Sequence, residues 1–448
     1  MRPESLLSRI FELVESEKKE ILSTLADFIS RRSVSARMEG IDECVGYLEK
    51  LLQVNGFQVS VLQTPTGRHA VYAEKKGRGK SLLLYNHYDV QPPEPLEEWS
   101  SEPFKLVERD GLLFGRGVAD NKGEIVARLA AVRVVEKALG DLPITVKWLI
   151  EGEEEVGSPS IGEIVNQNLH RFSDVVGCMW EGGDVVEDVP NFYLGVKGML
   201  YVELRLKTAE ADAHSMYAPV IDNAAEKLAR KVLSLKDRNG RITIPGFYEE
   251  VLKPSRVEKA TMASAKLSPT ALARDLGVKK LTARRDELLE KLVYQPTCNI
   301  AGFVSGYTGP GSKTITPSNA SVKIDFRLVP NQDPDKVLRG LKKALPDVEI
   351  IVHSKAHPAR ISPDEPIVKA ALKCAEKVYG RRPRVLPNMF GTGPLHHFTR
   401  AGIPTAMVSA LAHPGSRLHA PKENIYLKHL LKSVAHHSML FIEVGEQA

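Results

Sequence analysis

The chain has 448 residues, 43% of them hydrophobic and 26% charged, and its 61 basic and 56 acidic side chains leave a net charge of +5. That length exceeds what one hydrophobic core ordinarily supports, so two domains are expected, with the composition of a soluble globular protein. The two signs of charge are interspersed, which argues against a nucleic-acid footprint, and no apolar run is long enough to span a bilayer.

From the N-terminus, residues 1–20 mix Arg2, Glu4, Arg9, Glu12 and Glu15 with Leu6, Ile10 and Leu13. This is the pattern of an amphipathic helix without the apolar core of a secretory signal, so a cytoplasmic location is expected. Helical patterns cover residues 5–32 and 40–54, with Gly56 as the expected C-cap. Short runs rich in branched residues follow at 82–85, 144–150, 175–180 and 405–409, the mark of strands covered on both faces. Helices are predicted at 122–139 and 161–171, before and after the second of these runs. The alternation predicts an α/β fold with a mostly parallel sheet flanked by helices.

Residues 198–354 have another texture, with alternating strands at 200–206, 299–304 and 320–329 and helices near 223–235 and 333–345. Strands with helices on one face predict a smaller α+β unit inserted into the larger one. The expected division is therefore a catalytic domain in two parts, 1–197 and 355–448, around an insert at 198–354, closing in a long helix that begins near Tyr426. Cys44, Cys178, Cys298 and Cys374 are isolated, without C-x-x-C spacing, and read as buried thiols in a reducing compartment.

His87 and Asp89 follow the first predicted strand of the sheet, Glu153, Glu154 and Glu155 the second, Glu181 the third, and His419 lies in the loop after the fourth. In open α/β sheets, ligands bind at that rim because the loops converge there. Asp120 sits on the loop that opens the helix at Lys122, where Gly115, Gly117 and Gly123 permit tight turns. Imidazole and carboxylate donors are the ligands that an ion such as Zn²⁺ accepts, and the set reads as that of a two-metal hydrolase. Taken singly, each has a bland alternative: a lone histidine is usually packed or solvated, and a glutamate run is usually a helix start. His413 competes with His419 and Asp184 with Glu181, while His396 and His397 fall in a helical pattern and read as structural. The joint placement after strand ends is what favours metal.

The segments His87-Tyr88-Asp89-Val90-Gln91-Pro92, Trp99, Pro103-Phe104, Gly115-Arg116-Gly117, Asp120-Asn121-Lys122-Gly123 and Glu151-Gly152-Glu153-Glu154-Glu155-Val156-Gly157-Ser158 resemble the dinuclear zinc peptidase and deacylase family. That family includes carnosinase-type dipeptidases, carboxypeptidase G, aminoacylase, acetylornithine deacetylase and succinyl-diaminopimelate desuccinylase. The first and last segments are closest in wording to the dipeptidase branch, although Glu181 stands where that branch commonly has Asp.

The resemblance implies two divalent ions, Zn²⁺ with Co²⁺ or Mn²⁺ as alternatives. His87 and Glu181 would hold one ion, Glu155 and His419 the other, and Asp120 would bridge them. Asp89 would orient His87, Glu154 would be the general base, and the Asp120–Asn121 peptide would be cis. His214 resembles a lid histidine that reaches the partner's active site in a homodimer built through the inserted lid and dimerisation domain. Arg327, with Thr314 and Asn223, would hold the substrate's terminal carboxylate. The loop 388–394 would line the catalytic side, in a form that departs from the dipeptidase version. The implied activity is hydrolysis of an amide bond in dipeptides or at the C-terminus of short peptides, with no nucleic-acid or membrane partner. An N-acyl-amino-acid deacylase is the alternative, and a non-catalytic peptide-binding relative is disfavoured by the intact Glu154 and full ligand set.

Overall fold

The computed structural model describes residues 3–263, 267–408 and 410–446; Met1, Arg2 and the expected strand end at Ser409 lie outside the described residues. At its centre is a nine-stranded sheet. Its four middle strands, Thr145–Glu151, Ser81–His87, Val175–Trp180 and Thr405–Met407, are mutually parallel. Every residue of the first two is buried, which is why they read as continuous apolar runs instead of alternating ones.

The expectation of a mostly parallel sheet holds for this centre and not for the edges. Ala70–Lys75 and Gln58–Leu62 join antiparallel on one side. On the other, Val189–Tyr193 meets Thr405–Met407 antiparallel, carries Arg384–Leu386 in parallel and forms a hairpin with Asp184–Val186. Short connections dictate this for Gln58–Leu62 with Ala70–Lys75 and for Asp184–Val186 with Val189–Tyr193, because parallel pairing needs a crossover of a dozen residues or more. The hairpin turns on Glu187 and Asp188, both at positive φ (55° and 61°), the conformation that a two-residue turn matched to strand twist requires.

Helices Pro3–Ser30, Lys122–Leu139, Leu427–Glu446 and Pro366–Tyr379 touch in that order and cover the sheet. Lys122–Leu139 is buried nearly all round, down to its charged Lys122, Glu124 and Arg128. It stops where Gly140, at φ 86°, returns its N–H to the Glu136 carbonyl at 2.8 Å. The helix expected at 161–171 is broken in two, Ile161–Gln167 and Leu169–Phe172. Asn168 sits at the break and its side-chain amide donates to the Ile164 carbonyl, competing with the main-chain ladder. Gly56 follows the helix Ile41–Val54 at φ 83°, one residue beyond the actual cap, Asn55.

The strands Thr297–Ser305, Asn319–Leu328, Gly198–Lys207 and Glu349–Ala356 form a separate four-stranded antiparallel sheet, in that order. Inward-facing Leu200, Val202, Leu204, Val322, Ile324 and Phe326 build its own core beneath helices Ala224–Leu233 and Pro334–Ala344. The period-two alternation along Asn319–Leu328 is the direct cause: one face meets helices and the other does not. The four cysteines are free and buried. Among the described residues, no helix is long and apolar enough to cross a membrane.

Candidate active site

The site forms where the central parallel strands end. His87 closes its strand, and the neighbouring strands end at Glu151 and Trp180, so the next residues of each loop face one another. His87 Nε2 lies 3.0 Å from Asp120 Oδ1 and 3.5 Å from Glu181 Oε2. His419 Nε2 lies 3.1 Å from Asp120 Oδ2 and 3.2 Å from Glu155 Oε2. One carboxylate thus turns an oxygen to each imidazole, and a second carboxylate approaches the same Nε2 of each. The Asp120–Asn121 peptide is cis, as the resemblance implied. His419 is held at φ 59°, a region few non-glycine residues occupy and one that tends to occur at functional positions.

The charges are concentrated. Burial works to lower His87, but Glu181 and the Asp120 hydrogen bond outweigh it and hold the imidazole well above its ordinary range. The hydrogen bond to Asp120 lifts His419 to about 9. Burial would raise Asp120, yet His419 and His87 keep it below the usual carboxylate range. Burial and neighbouring carboxylates push Glu155 up to about 8, and burial raises Glu181 strongly. Glu154 also rises to about 8, again chiefly through burial.

Divalent ions fit this donor set. Ligand atoms of Asp120, Glu155 and His419 all lie within 4.8 Å of one another. Glu181 Oε2 is buried without a hydrogen bond, its nearest cation being the His87 ring at 3.5 Å. Imidazole with carboxylate is the ligand chemistry of zinc-like ions, and binding them requires displacing the protons these groups now share.

The supporting groups are fully buried. Asp89 places Oδ1 3.3 Å from His87 Nδ1, and its two oxygens accept the main-chain N–H groups of Glu154 at 3.2 Å and Glu155 at 3.0 Å. Two supports escaped the sequence reading. Glu423 accepts from the N–H groups of Gly117, Ala119 and Asp120 and from Arg116 Nη1, and so shapes the loop that presents Asp120. Arg128 donates to the carbonyls of Tyr85, Met179 and Trp180 and to Asn86 Oδ1. Asn86 in turn donates to Asn121 Oδ1 at 2.5 Å, so one guanidinium ties together the segments carrying His87, Glu181 and Asp120. The available signal was a charge inside an otherwise apolar helical run. Gln91 Nε2 completes the shell by donating to Glu155 Oε2 at 2.8 Å.

The competing candidates separate on geometry. His413 is engaged elsewhere, with Nε2 2.9 Å from Asn424 Oδ1 and Nδ1 accepting from the Gly415 N–H. Asp184 accepts from Asn191 and Tyr193 within the edge hairpin. Glu153 turns away from the cluster to accept from the Ser160 N–H and Thr66. His396 and His397 do lie on a helix, Leu395–Arg400, and they also line the cleft that holds Glu154, Glu155 and His419. Arg327 lines the same cleft and donates to Thr392 Oγ1 at 2.8 Å, bridging the inserted sheet to the loop 388–394. His214, Thr314 and Asn223 are not brought to it. His214 is exposed and accepts from the Met216 N–H, the Thr314 carbonyl accepts from Ser215, and Asn223 caps the helix Ala224–Leu233 through the Glu226 N–H.

Paired imidazole–carboxylate centres sharing one aspartate, beside a glutamate that ligates neither, define a metal-dependent hydrolase of the two-centre class. The chain belongs to the peptidase family M20/M25/M40, which it matches over residues 83–442. It is similar to an M20 family metallo-carboxypeptidase from Sulfolobus solfataricus, at 38% identity and a TM-score of 0.90, over 96% of this chain and 100% of that one. Human Beta-Ala-His dipeptidase is 27% identical over 86% of this chain and 82% of its own. Cysteinylglycine-S-conjugate dipeptidase of Corynebacterium striatum is 26% identical over 91% and 92% respectively. The chain is a metallopeptidase that hydrolyses peptide bonds with divalent metal ions.

Proposed function

We propose that the chain hydrolyses dipeptides, or removes the C-terminal residue of short peptides, in the cytoplasm, using two Zn²⁺ ions. The observation that carries this reading is the placement of Asp120, one oxygen to His87 and the other to His419. His87 and Glu181 would complete one ion and His419 and Glu155 the other, with Asp120 between them. Bound there, the ions would supply an acidified water and polarise the scissile carbonyl.

The chain's own groups account for the remaining steps. Glu154 makes no contact with His87 or His419 short enough to be an ion pair, so it is free to take the water's proton and pass it to the departing amine. Desolvated by burial and unligated, its carboxyl can exchange a proton while metal ligation would keep Glu155 ionised. Asp89 holds the His87 ring and, through two main-chain N–H groups, the turn that aims Glu154. Arg327 offers a planar fork to the terminal carboxylate from across the cleft.

Residues 198–354 would act as a lid and dimerisation domain between the two parts of the catalytic domain, 1–197 and 355–448. The strand Thr297–Ser305 is an open sheet edge that exposes Ile300, Phe303 and Val304, a surface suited to a second copy. The exposed position of His214, outside its own chain's cleft, supports a role in the partner's cleft, where it would steady the developing oxyanion. Thr314 lies beside it and would serve the same pocket. Asn223 is kept in that pocket only as a neighbour, since its side chain is used as a cap.

The test is metal analysis of the purified protein together with a panel of dipeptides, acetylated and succinylated amino acids. Dipeptide hydrolysis that is lost on chelation and restored by Zn²⁺ is expected. Hydrolysis of the acylated amino acids alone would replace this reading with a deacylase, and full activity after exhaustive chelation would end it.

A further inference from the structure

We infer that the cleft contains a second anion subsite, formed by Arg400 with His357, His396 and His397, which takes an acidic side chain on the substrate's C-terminal residue. This rests on the peptide-hydrolysing reading above and adds a side-chain class to it.

The cleft, of about 780 Å³, is lined by Glu154, Glu155 and His419, by Arg327 and Thr392, and by His357, His396, His397 and Arg400. A cavity of that size accommodates a dipeptide with both side chains. Arg400 Nη2 donates to His357 Nδ1 at 3.2 Å. A guanidinium can only donate, so Nδ1 is the bare nitrogen and the His357 proton sits on Nε2. The His396 ring centroid lies 3.8 Å from that of His397 and 5.5 Å from that of His357. Burial first, and then the neighbouring rings and Arg400, lower His396 to about 3; burial and Arg400 lower His397 to about 4. Both are therefore neutral N–H donors at physiological pH.

The charges around this group leave one cation over. Lys355 is matched by Asp335 at 2.7 Å, and Asp333, which also faces His357, is satisfied by the N–H groups of Asp335 and Lys336 that it caps. Arg327 has Asp325 at 3.3 Å. Among the described residues, no carboxylate pairs with Arg400. Arg400 is exposed on the cleft lining, and a guanidinium fork flanked by neutral donors selects a carboxylate over an amide and repels an ammonium. Thr392, which meets Arg327, lines the same cleft as the helix Leu395–Arg400 that carries His396, His397 and Arg400, so a terminal residue held by its main-chain carboxylate at Arg327 would share that cleft with Arg400.

The test compares Ala-Glu with Ala-Gln and Ala-Asp with Ala-Asn on the metal-loaded wild type and on Arg400→Gln. The wild type is expected to favour each acid over its amide by about tenfold in kcat/KM, mainly through KM, as one charge-assisted hydrogen-bonded pair would give. In Arg400→Gln the acid-to-amide ratio should collapse towards unity, and Arg400→Lys, which keeps the charge without the fork, should hold an intermediate ratio. His357→Gln gives a second variant, which should lower the ratio by releasing the guanidinium. Equal rates for acid and amide in the wild type, or a ratio unmoved by Arg400→Gln, overturn the subsite and leave peptide hydrolysis standing. Inhibition of all four peptides alike by inorganic phosphate, without discrimination among them, also counts against it. Failure to cleave any of the four overturns the functional reading and the subsite with it.

Discussion

The groups on the rim of the parallel sheet and those on the inserted sheet are held in opposite ways. His87, Asp89, Arg128 and Glu423 are at most 1% exposed, and each is fixed by contacts to other buried groups, so the rim is organised before any substrate arrives. On the insert, His214 and Thr314 are exposed and make only local main-chain contacts, while Arg327 reaches across to Thr392. A buried polar network keeps its geometry because every lost partner is costly. An exposed side chain is positioned only by what docks against it. The rim groups are therefore positioned by their own chain, whereas the exposed His214 and Thr314 of the insert are, among the described residues, held by no buried contact.

Substitutions at the rim should have the largest effects. Glu154→Gln is expected to retain bound metal while turnover falls about 10²- to 10⁴-fold; kcat close to wild type would remove Glu154 as the base. Arg128→Gln should weaken metal binding by about 10- to 100-fold, as loss of a group that orients ligands does. Titration of metal into the stripped protein should show that loss on the His87 and Glu181 side, with the His419 side nearly intact. Equal weakening of both sides would mean that Arg128 serves the fold generally.

On the insert, effects should depend on the second chain. If His214 works in trans, mixing Glu154→Gln with His214→Ala chains should restore about a quarter of wild-type activity after statistical exchange, since half of the dimers then hold one intact cleft. No recovery after verified exchange would return His214 to its own subunit. The smallest effect separates two roles for Asn223. As a helix cap, Asn223→Ala should cost about 1 kcal/mol of stability in a denaturant titration and leave KM unchanged; a raised KM at unchanged stability would place it against substrate.

The local rules of the chain made much of this legible. Continuous apolar runs mark strands buried on both faces, alternation marks the half-covered strands of the insert, and the metal-site candidates fall just after strand ends. Local pattern left His413 and His419 open, since both lie in one loop; the family resemblance implied His419, and in the structure His413 meets Asn424 while His419 meets Asp120. Nor was the break at Asn168, where a side chain takes a main-chain partner. The antiparallel edges were missed because connection length and long-range pairing, not strand composition, decide their direction.

By itself the sequence determined the residue types at the rim, the two packing textures and the family, because these follow from local periodicity and from short motifs. The pairing of carboxylates with imidazoles came only through the family resemblance, while the bracing by Arg128 and Glu423 and the sharing of the cleft by His396, His397 and Arg400 were decided by the tertiary structure alone. The physical reason is that such contacts join segments up to some three hundred residues apart, with Gly117 and Glu423 306 positions from one another, and nothing in local sequence encodes such a meeting.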